Sequence, residues 1–177
     1  MKKLSILIVL LTFFAQAQEL EQGSVIKNYG HFYNIQNPDK KLDPNKEYHV
    51  VFDVRNSSSD MNAVNPLIEI VARFINMHVA QGVPKENLHV VLVLHSAATK
   101  SVLNKKAYKE RFRKDNPNLG LINKLNKAGV DIFVCGQSAL SHKIARNEVN
   151  KSVKFALSTL TVLTEYQSIG YQLIDFN

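Results

Sequence analysis

The run "NLHVVLVLHS" at residues 87–96 constrains the fold more than any other part of the chain. A strand with one wet face alternates polar and apolar residues. Val90 to Leu94 are apolar without a break, the pattern of a strand covered on both faces in a parallel sheet. Two further runs, "EYHVVFDV" at residues 47–54 and "VDIFVCG" at 130–136, read the same way. Between them the period changes. Residues 62–82 carry Leu67, Ile68, Ile70, Val71, Phe74, Ile75 and Val79 mostly at three- and four-residue spacing, predicting a helix that Gly82 and Pro84 stop. The basic stretch "KKAYKERFRKDNPN" predicts a second helix ending at Pro117, and residues 119–129 a short amphipathic third. Residues 138–147 read as a short helix. Residues 149–168 read as a longer one, with Val153, Ala156, Leu157, Leu160, Leu163 and Tyr166 facing inward. "GYQLIDF" at 170–176 closes the chain as a strand. Strands alternating with helices predict an α/β domain with a mostly parallel sheet. Right-handed crossovers bring the carboxyl ends of its strands to one edge, where open α/β sheets bind ligands.

The first residues carry a different signal. Lys2 and Lys3 precede an apolar run at residues 4–14, and Ala15-Gln16-Ala17 follows with small-x-small spacing. That is the layout of a secretory signal peptide, residues 1–17, cleaved after Ala17 to give a periplasmic or secreted protein. The run falls short of the ~20 residues that span a bilayer, and the mature chain has no apolar segment long enough to do so. Residues 18–46, with the polar stretch "NPDKKLDPNKE", read as an N-terminal extension that Tyr29, Phe32 and Tyr33 dock onto the domain at residues 47–177. The formal charge of +7 falls to about +5 without Lys2 and Lys3. In an exported protein that points to weak attraction for acidic partners or anionic surfaces rather than to nucleic acid.

Cys135 is the only cysteine in the chain. It falls at the carboxyl end of its strand, before Gly136, Gln137 and Ser138. Gly136 permits a tight turn and leaves room beside the sulfur. Ser138 reads as the cap of the next helix, whose free N–H groups would favour a thiolate. The opposing reading is a small buried core residue, and position alone does not separate the two. His95 ends the neighbouring strand and reaches the same edge, where an imidazole can exchange protons near neutral pH. Asp53 and Asn56 lie at the end of the first strand and line that edge with polar groups, or cap its loop.

Other chemistries lack their residues. The chain has no G-x-S-x-G elbow, phosphate loop or G-x-G-x-x-G turn. Its six histidines show no paired-ligand spacing, and one cysteine cannot build a zinc-finger cage. No metal or organic cofactor is therefore expected. His49, His78 and His89 sit inside strand or helix patterns and read as structural.

In element order, and in "LNKAGVDIFVCGQS", "VLHSAAT" and "SVKFALSTLTVLTEYQSIGYQLIDF", residues 48–176 resemble the DsrE/DsrF-like family. The resemblance implies a three-layer α/β/α sandwich assembled as trimers or hexamers. It also implies a sulfur-carrier or sulfurtransferase-like role, in which Cys135 holds a persulfide for a donor or acceptor protein and His95 stands beside it. Serine follows His95 where that family often has glycine. The export signal and the N-terminal extension also depart from the compact cytoplasmic carriers. The alternative is a non-catalytic oligomeric binding module in which Cys135 is packing.

Overall fold

The computed structural model describes residues 19–176. The signal segment expected at residues 1–17 lies outside them. Residues 19–46 carry a two-residue antiparallel pair, β1 (Leu20–Glu21) with β2 (Phe32–Tyr33). The domain then runs β3 (Tyr48–Val54), α1 (Pro66–Ala80), β4 (Leu88–Leu94), α2 (Lys105–Phe112), α3 (Leu119–Lys127), β5 (Asp131–Cys135), α4 (Gly136–Ser141), β6 (Lys154–Ala156), α5 (Thr159–Ser168) and β7 (Gln172–Asp175). Five strands form one sheet in the order β6-β5-β4-β3-β7, and every pairing is parallel.

The apolar runs form the middle of this sheet because both faces are covered. Val50, Phe52, Val54, Val90, Leu92, Leu94, Ile132 and Val134 face the larger core. There they meet Ile68, Val71, Ala72 and Ile75 of α1 and Leu121, Ile122 and Leu125 of α3. The alternate residues Val51, Val91 and Val93 face a smaller core made with Val162 of α5, flanked by Phe133, Leu163 and Tyr166. The mixed α/β sandwich expected from the sequence is therefore the observed architecture.

Local chemistry sets the helix ends. Asn65 caps α1 through its side chain, which accepts from the Leu67 N–H, and Pro66 takes the first helical position. The helix therefore starts four residues later than its apolar spacing suggests. Its amide Nδ2 donates to the Asn56 carbonyl, and its own N–H donates to Asn118 Oδ1 at 2.7 Å. These bonds tie the loop after β3 to the start of α3. The basic stretch is helical from Lys105 as expected but ends at Phe112 rather than Pro117, and Ser96–Val102 before it is 3-10 helix.

The largest departure lies in residues 149–168. They do not form one helix. After a 3-10 turn at Arg146–Glu148, the short strand β6 and then α5 occupy the region. Lys154 to Ala156 pair in register with Phe133 to Cys135. Ser158 then starts α5, its hydroxyl accepting from the Thr161 N–H and Thr161 bonding back. Leu157 and Leu160, read as inward, are 71% and 76% exposed. An apolar residue at every third or fourth position suited a helix, but the free side of β5 offered a hydrogen-bonding partner that helix spacing does not reveal.

Residues 19–46 are held by three polar side chains of α1: Glu69 accepts from the Gly30 N–H, Arg73 donates to the His31 carbonyl, and Asn76 makes the most bonds. Asn76 is buried mid-helix; its Oδ1 accepts from the Ile26 N–H, and its Nδ2 donates to the carbonyls of Ile26, Tyr29 and Gly30. Gly30 has φ +64°, and a Cβ there would run into the α1 backbone at Ala72 and Arg73. Ile26 and Phe32 are buried, while Tyr33 is exposed. Asn76→Ala removes the bonds to the Ile26 N–H and to the Ile26, Tyr29 and Gly30 carbonyls. A loss of about 3 kcal/mol in unfolding free energy is expected in urea titration, with early proteolytic cleavage before residue 47.

Candidate functional site

The site begins with where β5 ends. Cys135 is the last residue of β5 and the cap of α4, its sulfur accepting from the Ser138 N–H at 3.5 Å. The helix therefore starts at Gly136, and Ser138 lies inside its first turn rather than capping it. Gly136 has a different role from the one its sequence suggests. A Cβ on it would sit 2.5 Å from the Ala156 carbonyl oxygen and 2.9 Å from the Phe155 ring. Glycine lets β6 close against β5, and that space is filled by backbone. Gln137 is exposed, and its Nε2 reaches the Leu157 carbonyl at 3.4 Å.

Packing β6 against β5 brings a second helix start to the sulfur. Thr159, the first residue of α5, turns its N–H and hydroxyl toward Cys135. Burial pushes the Cys135 thiol up, with the residue only 4% exposed. Against this act the backbone and side-chain donors of Ser138, then those of Thr159. The donors outweigh burial, and the thiol lies below its ordinary value. The Thr159 hydroxyl makes no well-formed hydrogen bond in this arrangement, so its influence is that of a nearby dipole. Its N–H is the firmer contribution. Thr159 was invisible as a site residue in the sequence, although the Ser158–Thr161 capping pattern marks the helix start that delivers it.

His95 follows β4 on the same sheet edge. Its Nε2 lies 3.0 Å from Asp53 Oδ1, and its Nδ1 lies 3.1 Å from the Ser96 hydroxyl. Neither Asp53 Oδ1 nor His95 Nε2 has a hydrogen bond of good geometry. The two meet at ion-pair distance with the ring tilted out of line. Ser96 has φ +47°, the left-handed region that favours glycine, so a glycine after this histidine would relieve strain.

The polar groups near His95 and Cys135 differ, Asp53 and Ser96 for one and Ser138 and Thr159 for the other. They stand at the ends of neighbouring strands, Asp53 on β3, His95 after β4 and Cys135 on β5. Asn56 is exposed beyond β3, and its carbonyl, through Asn65, serves the loop. The edge thus holds two groups, a thiol between helix starts and a histidine–aspartate pair.

A protein-family model described as the DsrE/DsrF-like family matches residues 49–176. The chain belongs to that family. No curated protein matches. Among solved structures, the protein of unknown function MTH1491 from Methanobacterium thermoautotrophicum is similar in fold, with a TM-score of 0.53 at 15% identity, covering 73% of this chain and 100% of its own. The ychN protein from E. coli gives a TM-score of 0.51 at 14% identity, covering 73% and 99%. In this DsrE-like domain the matched region holds all five strands of the sheet and both groups at its carboxyl edge. The segment holding β1 and β2 lies before it.

The donors at Cys135 make a specific pH expectation. A lowered pKa means that the thiolate, the form that reacts with iodoacetamide, is already abundant below the ordinary thiol range of ~8.5. Thr159→Val removes the hydroxyl, and Ser138→Pro removes the closest N–H. Each should move the midpoint of the alkylation-rate profile to higher pH, with Ser138→Pro shifting it further.

Proposed function

We propose that this DsrE-like protein is an exported sulfur carrier in which Cys135 holds and passes on a sulfane sulfur atom. The observation that carries the reading is the convergence of the α4 and α5 starts on one thiol. The Cys135 thiolate attacks the outer sulfur of a persulfide donor, R–S–SH. A new S–S bond forms to Cys135, the donor's S–S bond breaks, and its electron pair leaves with RS⁻. An acceptor thiolate then attacks the outer sulfur of the Cys135 persulfide, and the Cys135 thiolate returns as leaving group. No net oxidant or reductant is consumed. The chain has no second cysteine to resolve a disulfide within itself, which favours a carrier over a self-contained oxidoreductase.

His95, close to Asp53 of the neighbouring strand, adds an imidazole at the same edge that would help orient a donor. The low exposure of Cys135 means that the turn carrying Leu157 to Thr159 must yield to admit a donor. That low exposure also favours the second reading, a binding module with an inert thiol. Leu140, Leu157 and Leu160 are exposed on or beside the two helices that hold the sulfur. They supply an apolar rim for a donor protein, an acceptor protein or another copy of the chain in a trimer or hexamer. Export rests on Lys2, Lys3, the apolar run and Ala15-Gln16-Ala17.

Intact-mass spectrometry tests the reading. After incubation with a sulfane-sulfur donor, the protein should gain the mass of one sulfur atom and lose it on reduction. Cys135→Ser should show no gain while keeping its circular dichroism spectrum. A wild-type protein that gains no sulfur and resists alkylation in its folded state would establish the binding-module reading instead.

A further inference from the structure

The opposite end of the sheet carries a second constellation. Its origin is the register of the two central strands. His49 of β3 and His89 of β4 are in-register partners. Neighbouring strands run ~4.8 Å apart, so in-register side chains on one face stand side by side. The two imidazoles stack with ring centroids 4.3 Å apart and planes 10° apart. Glu47, one residue before β3 begins, turns its carboxylate toward both. Its Oε2 is 3.2 Å from His49 Nε2 and 3.6 Å from His89 Nε2.

These contacts do not close into a satisfied network. His89 Nε2 is shielded from solvent and has no hydrogen-bond partner. Tyr171 packs its ring edgewise against His49 at 5.1 Å and walls one side. Glu47 remains 63% exposed, leaving the outer side open. The three ligand atoms all lie within 4.8 Å of one another. A tetrahedral zinc site with metal–ligand bonds of ~2.0–2.1 Å has ligand–ligand edges of ~3.3 Å, close to both Glu47 distances. The lone pairs of the stacked rings run side by side, so binding requires the half-exposed rings to tilt toward a common point.

We propose that Glu47, His49 and His89 form a binding site for a zinc-type divalent transition-metal cation. Two neutral imidazoles and one carboxylate suit such a cation, and water fills the positions that open to solvent. A cation there satisfies the buried His89 nitrogen that no hydrogen bond among the described residues satisfies. It also clamps β3 to β4 at their amino ends. The proposal is independent of sulfur chemistry at Cys135, which lies at the other end of the sheet.

Cobalt(II) titration of the full chain, followed by visible absorption, tests it. The expected result is one equivalent bound, with d–d bands, no thiolate charge-transfer band, and displacement by zinc. His49→Gln and His89→Gln should each weaken binding at least about tenfold, while Cys135→Ser should leave it unchanged. Zinc should also shift the Nε2 resonances of His49 and His89 in the unsubstituted protein, a readout that needs no variant to fold. Cobalt binding unaffected by the histidine substitutions, a charge-transfer band lost in Cys135→Ser, or histidine resonances indifferent to zinc would each overturn the proposal.

Discussion

Much of this molecule depends on the register between β3 and β4. Seven consecutive pairs run from Tyr48 opposite Leu88 to Val54 opposite Leu94. A slip of one residue would exchange the faces of an entire strand, sending Val90, Leu92 and Leu94 away from α1 and α3. Both faces of these strands are apolar, so the pattern alone tolerates more than one register. Packing of unequal layers selects the observed one, with α1 and α3 on one side and α5 on the other. That choice places Asp53 beside His95 at one end of the sheet and His49 beside His89 at the other. Two polar clusters thus share one cause.

The chemistry at Cys135 is a contest between two physical effects. Taking a thiol out of water disfavours its charged form; aiming N–H groups at it favours that form. A single short helix start is a modest anion site. The arrival of α5 adds Thr159 to Ser138, and together they prevail over burial. The same turn that supplies the second donor also covers the sulfur, so stabilisation and access are linked.

The strands β3, β4 and β5 were legible because unbroken β-branched runs have few other uses. The helix α1 was legible from its spacing, though its start waited on the Asn65 side chain and Pro66. Residues 149–168 were misread for a physical reason. Val153, Ala156, Leu157 and Leu160 fit a helical stripe, while the pairing that makes Lys154 to Ala156 a strand is non-local. The same error concealed Thr159, since a residue inside a long helix has no free N–H to offer a distant sulfur. Gly136 was noticed at the right position, and the structure adds a reason that the sequence did not show: it admits β6.

Asn76 shows the same division at a smaller scale. A buried asparagine in a helix is unfavourable locally, and nothing near it in sequence explains it. Its partners lie about fifty residues earlier, at Ile26, Tyr29 and Gly30. By itself, the sequence determined the alternation of buried strands and helices, the parallel sheet and the placing of Cys135 at a strand end, because these follow from local periodicity and turn chemistry. Only the tertiary structure decided which helix starts face the sulfur, that His95 meets Asp53, and that His49, His89 and Glu47 converge. Those outcomes depend on strand order and register, which arise from contacts between residues far apart in the chain.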